Sequence, residues 1–199
     1  MNISNTAIVL IGFQNDYFSE NGVLHEVIES SAAKILSNTV NLLNRLQTTG
    51  ITLVSTPIYF TPDYSELVNP VGILKVIQEV GAFRKDTIGS ETIPELTRYG
   101  DRILTVEGKR GLNAFHSTNL EQELLSRGIT DVVLAGVATS ICIDSTARSA
   151  FELGFKVHVL SDCTAGRTQY EQDFYCSEVF PLYANVITSQ ALIESLDLS

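Results

Sequence analysis

A cysteine at the start of a predicted helix is the strongest candidate for chemistry in this sequence. Cys142 stands in the segment GVATSICIDSTARSA, where residues 131–136 predict a buried parallel strand and residues 140–153 predict a helix. Backbone N–H groups and the positive end of the helix dipole meet at such a turn, and both favour a thiolate over a thiol. The position is typical of a nucleophile, and the role of a small buried apolar residue is the open alternative.

Other polar side chains follow neighbouring predicted strands. Gly12 and Asp16 come after the first strand, and Glu107 and Lys109 come after the third. Ligands bind beyond the carboxyl ends of the strands in open parallel sheets. A thiol, an ammonium and a carboxylate gathered at those ends are sufficient for covalent catalysis. Without the cysteine, a solvated loop residue would be the better interpretation of Lys109.

Aromatic residues also cluster near the predicted strand ends. We expect them to form part of a mostly apolar pocket for a small molecule, and they are Phe13, Tyr17, Phe18, Tyr59, Phe60 and Phe115. Taken singly, each of these rings is more typical of a protein core. The pocket prediction therefore depends on their occurring together.

Predicted strands and helices alternate along the whole chain. The strands are 7–11, 52–58, 102–106, 131–136, 156–160 and 185–188, and the helices are 33–46, 71–80, 121–126, 140–153 and 169–180. Continuous apolar strands separated by helices indicate a parallel sheet covered on both faces. We predict a single domain over 1–199, a three-layer α/β/α, Rossmann-like fold with a six-stranded, mainly parallel sheet. A long loop is expected within 59–94.

Composition narrows the range of partners. The chain has 199 residues, 44% of them apolar, and 13 basic against 23 acidic side chains give a net charge of −10. This charge argues against nucleic acid and against anionic membrane surfaces as partners. Three cysteines without CxxC spacing do not form a disulfide framework, and the first residues lack the basic region of a signal peptide. We expect a cytoplasmic protein.

Four motifs, in the expected order, resemble those of the isochorismatase-like cysteine hydrolases, which include nicotinamidases and N-carbamoylsarcosine amidase. The firmest is GVATSICIDSTARSA, which contains Cys142. KRGLNAFHSTNL matches the frame of the family's catalytic lysine and puts Lys109 at that position. GSETIPEL at 89–96 and FQNDYF at 13–18 complete the series. The resemblance covers nearly the whole chain and implies the fold of that family.

This resemblance implies a Cys–Lys–Asp triad that acts on an amide or related carbonyl carbon. Cys142 would attack and form a thioester, an aspartate would move the proton, and Lys109 would hold both in a charged network. The family also has a cis peptide bond before the catalytic turn, which here would join Val137 to Ala138. Its implied role is to aim the N–H groups of Ala138 and Cys142 at a developing oxyanion.

The third triad position departs from the family pattern, because Gly12 stands where the catalytic aspartate belongs. Glycine can neither accept a proton nor orient Lys109. The missing side chain is expected to leave room for a few heavy atoms beside the thiol and the ammonium. Asp16, Glu107, ordered water or a carboxylate of the substrate are the candidates for filling it.

Two classes of function stay open. The first is a hydrolase that cleaves an amide or ureide-type carbon–nitrogen bond of a small molecule through Cys142. The second is a family member without turnover that binds a metabolite or serves in an assembly. Relatives also imply a homo-oligomer, a dimer or tetramer. His25, His116 and His158 are scattered singly and do not reproduce the metal site of nicotinamidases, so we predict no metal and no cofactor.

Overall fold

The computed structural model describes residues 1–197, and its six strands form one parallel sheet. The strand order β3-β2-β1-β4-β5-β6, with helices on both faces, confirms the predicted three-layer α/β/α fold. The last two residues of the predicted domain, 198 and 199, lie outside the described residues. The strands are β1 (Thr6–Ile11), β2 (Thr52–Thr56), β3 (Leu104–Thr105), β4 (Asp131–Val137), β5 (Lys156–Ala165) and β6 (Asn185–Ile187).

The central strand β1 sends its side chains alternately into two cores. Val9 and Ile11 belong to one core, and Ile8 and Leu10 belong to the other, all at most 1% exposed. Burying one such side chain stabilises the fold by about 1.5–3 kcal/mol. A continuous apolar run is therefore what a strand covered on both faces requires.

Over residues 1–197, eight α-helices supply the outer layers. The helices Glu29–Leu46 and Ser189–Ser195 cover the face of Ile8 and Leu10. The helices Leu120–Ser126 and Asp144–Glu152 cover the opposite face. The helices are α1 (Asn15–Phe18), α2 (Glu29–Leu46), α3 (Gly72–Val80), α4 (Pro94–Thr97), α5 (Leu120–Ser126), α6 (Asp144–Glu152), α7 (Gln169–Phe174) and α8 (Ser189–Ser195). The irregular segment 59–94 contains α3 as well as the expected loop.

Two predicted helices are interrupted. The helix expected at 140–153 begins as a single π-helical turn, Thr139–Ile143, and continues as α6. The helix expected at 169–180 divides into α7 and a second π turn, Tyr175–Val179. Apolar periodicity does not reveal such turns, which occur frequently at functional sites.

Gly136 allows the two central strands to approach each other closely at their carboxyl ends. It pairs with Ile11 across β1 and β4, and its φ is +123°. A Cβ at this position would lie 1.8 Å from the carbonyl oxygen of Ile11. Because no side chain fits there, the start of the turn that carries Cys142 is fixed against the end of β1.

Gly136→Ala should lower the free energy of unfolding by about 3 kcal/mol or more, through the left-handed backbone and the overlap with Ile11. Gly154→Ala is the matched control, because Gly154 also has a positive φ, +89°, but no atom within 4 Å of the new Cβ. It should cost about 1 kcal/mol. Urea unfolding followed by circular dichroism gives both values, and equal losses would contradict the steric explanation.

Candidate active site

The structure brings Cys142 and Lys109 together at the switch point of the sheet, between the carboxyl ends of β1 and β4. Cys142 lies in the π turn after β4. Lys109 follows β3 and pairs with Ile58, which continues the line of β2. Its Nζ lies 3.6 Å from Cys142 Sγ, and the two residues are 2% and 7% exposed. Two residues 33 positions apart thus form one buried contact.

The buried side chain of Gln14 fixes the backbone beside Lys109. Its Nε2 donates to the carbonyl oxygens of Ile58 at 2.9 Å and Ser90 at 2.6 Å, and its Oε1 accepts from the Ile58 N–H at 2.9 Å. Because Ile58 is the bridge partner of Lys109, these bonds set the position of the lysine. The glutamine of the FQNDYF motif is therefore a positioning residue.

The loop after Lys109 is tied to α6, the helix that continues from the turn of the candidate nucleophile. The Ala114 N–H donates to Thr146 Oγ1 at 3.0 Å. Asn113 Nδ2 donates to Ser149 Oγ at 2.6 Å. The loop after Lys109 and the turn that carries Cys142 are therefore both attached to α6, which fixes the distance between the ammonium and the thiol.

Gln172 on α7 holds the π turn in place. Its Oε1 accepts from Thr139 Oγ1 at 2.5 Å and from the Gly166 N–H at 3.0 Å. Next to it, the Glu171 carboxylate accepts a hydrogen bond from Ser140 Oγ. The sequence patterns did not point to Gln172, because a lone glutamine on a weak helical pattern carries no motif.

The turn starts at the peptide bond between Val137 and Ala138, which is cis, at the place where the family resemblance implies such a bond. The Ala138 carbonyl oxygen accepts from the Ile141 N–H at 3.1 Å and from the Ile143 N–H at 3.2 Å. These two bonds wrap the turn around one carbonyl and set the direction in which α6 leaves.

The thiol and the ammonium line a small cavity of about 10 Å³, which is close to the space that one water molecule needs. Most of its wall is apolar, and α3 forms one side of it. Within the described residues, no carboxylate is part of the lining. The lining comprises Gly12, Tyr17, Thr56, Ile58, Ile73, Leu74, Ile77, Phe83, Lys109, Gly111, Leu112, Val137, Ile141 and Cys142.

Tyr17 is one of the aromatic residues predicted for the pocket, and it lines the cavity. Its ring packs against Phe83, with centroids 5.2 Å apart. Burial raises the pKa of Tyr17 far above its ordinary value, and the nearby Cys142 and Asp16 raise it further. The phenol therefore stays protonated and is a hydrogen-bond donor at neutral pH. Its place in the FQNDYF motif, directly after β1, was the available signal.

Gly12 lines the cavity together with Lys109 and Cys142, but its backbone leaves no space for a side chain. Its φ is +75°, and a Cβ would lie 2.8 Å from the Val137 carbonyl oxygen and 3.0 Å from Val137 Cγ2. The position next to the α-carbon is thus already occupied by the turn after β4. This backbone does not accommodate an aspartate without rearrangement.

The two acidic residues considered as substitutes lie elsewhere. Asp16 is 4% exposed, and its Oδ2 accepts from the Phe83 N–H at 2.6 Å. Burial raises the pKa of Asp16, while hydrogen bonds from the N–H groups of Phe83 and Val23 lower it. Glu107 is exposed. Neither carboxylate lines the cavity, so the structure does not bring them to the thiol.

The other five aromatic residues predicted for the pocket are not among its lining residues. Phe13 stacks on Phe18, and Phe60 packs against Tyr64. Phe115 packs against Phe155, and Tyr59 is half-buried. The prediction is corrected because a strand end marks the edge of the sheet, whereas the direction of each side chain decides whether it reaches the cavity.

The histidines lie apart from one another, as their sequence spacing suggests. His25 Nδ1 is 2.8 Å from the Tyr17 carbonyl oxygen, and His158 Nε2 is 3.1 Å from Asp131 Oδ1. His116 is exposed. Over residues 1–197 no group of three His, Cys, Asp or Glu side chains is placed to hold a metal ion. The absence of a metal requirement stays a prediction.

Iodoacetamide should label Cys142 faster than the other two cysteines at pH 7. The Lys109 ammonium lies 3.6 Å from its sulfur and stabilises the negative charge that the sulfur carries as it attacks. Burial raises the pKa of Cys163 to about 12 and that of Cys176 to about 11, so both remain unreactive thiols. Peptide mass spectrometry gives the three rates.

Lys109→Met should slow the labelling of Cys142 by about tenfold or more, because the neighbouring positive charge is lost. Lys34→Met is the control, since Lys34 is exposed on α2. Equal rates in the wild type and both variants would show that the ammonium does not act on the sulfur.

Gln172→Met should lower the free energy of unfolding by about 2–3 kcal/mol, because the Thr139 hydroxyl and the Gly166 N–H lose their acceptor. Gln169→Met, on the same helix, removes only an exposed bond to Asp173 and should cost less than about 0.5 kcal/mol. Urea unfolding separates the two. Similar small losses would mean that α7 does not hold the turn.

A model of the isochorismatase domain matches residues 6–191. The chain is 26% identical over 200 residues to the uncharacterized isochorismatase family protein YecD of Escherichia coli O157:H7, covering 98% of each. It is 30% identical over 169 residues to an Arabidopsis thaliana protein named "Probable inactive nicotinamidase", covering 82% of each. It is 27% identical over 175 residues to the ureidoacrylate amidohydrolase RutB of Agrobacterium fabrum, covering 81% and 76%.

Solved structures show the same fold. A cysteine hydrolase from Pseudomonas syringae superimposes with a TM-score of 0.87 at 19% identity, over 99% of this chain and 94% of the other. N-carbamoylsarcosine amidase from Thermoplasma acidophilum superimposes with a TM-score of 0.74 at 25% identity, over 95% and 97%. Since the domain model spans most of the sequence, this chain belongs to the isochorismatase family.

Proposed function

We propose that this protein is a hydrolase that cleaves an amide or ureide-type carbon–nitrogen bond of a small molecule through a thioester at Cys142. The proposal rests on the 3.6 Å contact between Lys109 Nζ and Cys142 Sγ inside the cavity at the switch point. A buried ammonium activates a thiol as a nucleophile, and a small, mainly apolar cavity suits a small molecule.

The reaction proceeds in two halves. Cys142 Sγ attacks the carbonyl carbon, and the negative charge on the oxygen is received by the N–H groups of Ala138 and Cys142. The carbon–nitrogen bond then breaks, and the nitrogen leaves with a proton as the thioester forms. Water attacks the thioester, which releases the acid and restores the thiol.

Names of relatives support cleavage of a carbon–nitrogen bond. RutB of Agrobacterium fabrum is named for ureidoacrylate, and the structure from Thermoplasma acidophilum is named for N-carbamoylsarcosine. Both names denote ureides. The two proteins match 81% and 95% of this chain, so their chemistry is the first to test here.

A binding protein without turnover is the second candidate. Gly12 and the lack of a carboxylate in the described cavity lining favour it, because no side chain replaces the proton acceptor of the triad. One relative bears the word "inactive" in its name. An acyl group trapped on Cys142 by p-nitrophenyl acetate and then released would favour the hydrolase, whereas a sulfur that never acylates would favour the binding protein.

Partners and location stay predictions. We propose a small molecule as the ligand, neither nucleic acid nor membrane as a partner, a homo-oligomeric state and a cytoplasmic location. The net charge of −10 supports the exclusion of polyanions. Over residues 1–197, no helix is long and apolar enough to cross a membrane.

Cys142→Ser should reduce turnover by about a thousandfold or more while preserving the fold, because a serine hydroxyl is much harder to deprotonate than a thiol. Cys176→Ser is the control, since Cys176 lies outside the cavity lining, and it should keep its activity. Ammonia release from succinamate, butyramide and N-carbamoylglycine measures turnover. If Cys142→Ser keeps most of its kcat, the covalent mechanism is wrong.

A further inference from the structure

The Lys109 ammonium is buried and has no carboxylate partner. Two of its three hydrogens have acceptors, the Gly111 carbonyl oxygen at 2.6 Å and Cys142 Sγ at 3.6 Å. In the part of the chain that the structure describes, no carboxylate oxygen lies within 4.0 Å of Lys109 Nζ. A buried cation without an anion is costly, so an anion that enters this cavity gains a strong partner.

Three side chains of the cavity lining can donate hydrogen bonds. Lys109 offers its remaining hydrogen, and Tyr17 and Thr56, which carry hydroxyl groups, are also lining residues. The only acceptor for Thr56 Oγ1 among the described residues is the Leu10 carbonyl oxygen, at a long 3.5 Å. The rest of the wall is apolar, with α3 on one side. Such a surface favours the anionic group of a small molecule beside Lys109 and an apolar remainder of that molecule against α3.

We propose that the substrate is a short-chain acid whose carboxylate binds Lys109 and replaces the missing aspartate as the proton acceptor for Cys142. This inference rests on the proposed hydrolase function and adds the class of substrate. Asp16 and Glu107 are absent from the cavity lining, so the acceptor comes from the ligand. Lys109 Nζ and Cys142 Sγ are 3.6 Å apart. A substrate that contacts both atoms therefore has only a few bonds between its carboxylate and the carbonyl carbon that Cys142 attacks.

This carboxylate alone can carry out every proton transfer of the reaction. It accepts the thiol proton as Sγ bonds to the carbonyl carbon, and it passes that proton to the nitrogen as the carbon–nitrogen bond breaks. It then accepts a proton from the water that attacks the thioester and returns it to the departing sulfur. The products are an amine or ammonia and a second carboxylic acid. Lys109 keeps its charge throughout and holds the carboxylate.

Binding is tested without turnover, by protection of Cys142 from iodoacetamide. Succinate and malonate should slow the labelling of Cys142, whereas succinamide, which is neutral and of the same length as succinate, should not. Lys109→Met should weaken the protection by succinate about tenfold or more, since a charge-assisted hydrogen bond is lost. Lys34→Met, the exposed control, should keep it. Equal protection by the acid and the diamide, or protection unchanged in Lys109→Met, overturns the inference.

Tyr17→Phe adds a second variant that leaves the lysine in place. It should weaken the protection by succinate less than Lys109→Met does, because it removes a neutral donor instead of a charge. A Tyr17→Phe protein that is protected as poorly as Lys109→Met would mean that the ammonium is not the anchor, and it would overturn the assignment.

Turnover then tests the role of the carboxylate in proton transfer. Succinamate and butyramide are amides of equal chain length, and they differ in whether the far end is a carboxylate or a methyl group. Ammonia release at equal concentrations should be faster for succinamate by about a hundredfold or more, the range of a positioned general base. Equal rates for both amides overturn the inference and leave the hydrolase standing. If neither amide is hydrolysed but succinate still protects Cys142 in a way that depends on Lys109, the proposed hydrolase function is wrong and only the anion site remains.

Discussion

The site depends on one costly constraint, a lysine ammonium held almost out of water beside a thiol. Lys109 is 2% exposed, and burying an unpaired charge costs several kcal/mol even after relaxation. Polar contacts of three residues fix the lysine and the backbone around it. Gly111 accepts from the ammonium, Gln14 fixes the neighbouring strand extension, and Thr146 fixes the loop that follows. These contacts hold the charge at the one point where it acts on Cys142.

The architecture was predictable because its central strands are covered on both faces. The apolar runs at β1 and β4 are long enough to identify without neighbours, and their alternation with helices sets the parallel order. Element boundaries were less predictable. β5 continues to Ala165 instead of ending at residue 160, and a π turn precedes α6. Both deviations arise from hydrogen bonds to other elements, such as those of Gln172, which local periodicity does not contain.

Residues of the candidate site could be predicted from the sequence where a residue type at a strand end has one main chemical use. Cys142 and Lys109 were identified in this way, and they meet in the structure. Of the six aromatic residues predicted for the pocket, Tyr17 lines the cavity and the other five do not, because an aromatic side chain serves a core and a pocket equally well. What separates the two is the direction of the side chain after the strand ends, and loop backbones set that direction through long-range contacts.

The backbone conformation at Gly12 itself disfavours an aspartate at this position. Gly12 has a left-handed conformation, and the Val137 carbonyl oxygen would lie 2.8 Å from any Cβ added there. Val137 in turn precedes the turn that carries Cys142. The end of β1 and the nucleophile turn are therefore packed for a residue without a side chain. A carboxylate at this position would have to displace Val137 and with it the start of the turn, so the departure from the family pattern at residue 12 is built into the packing of the two central strands.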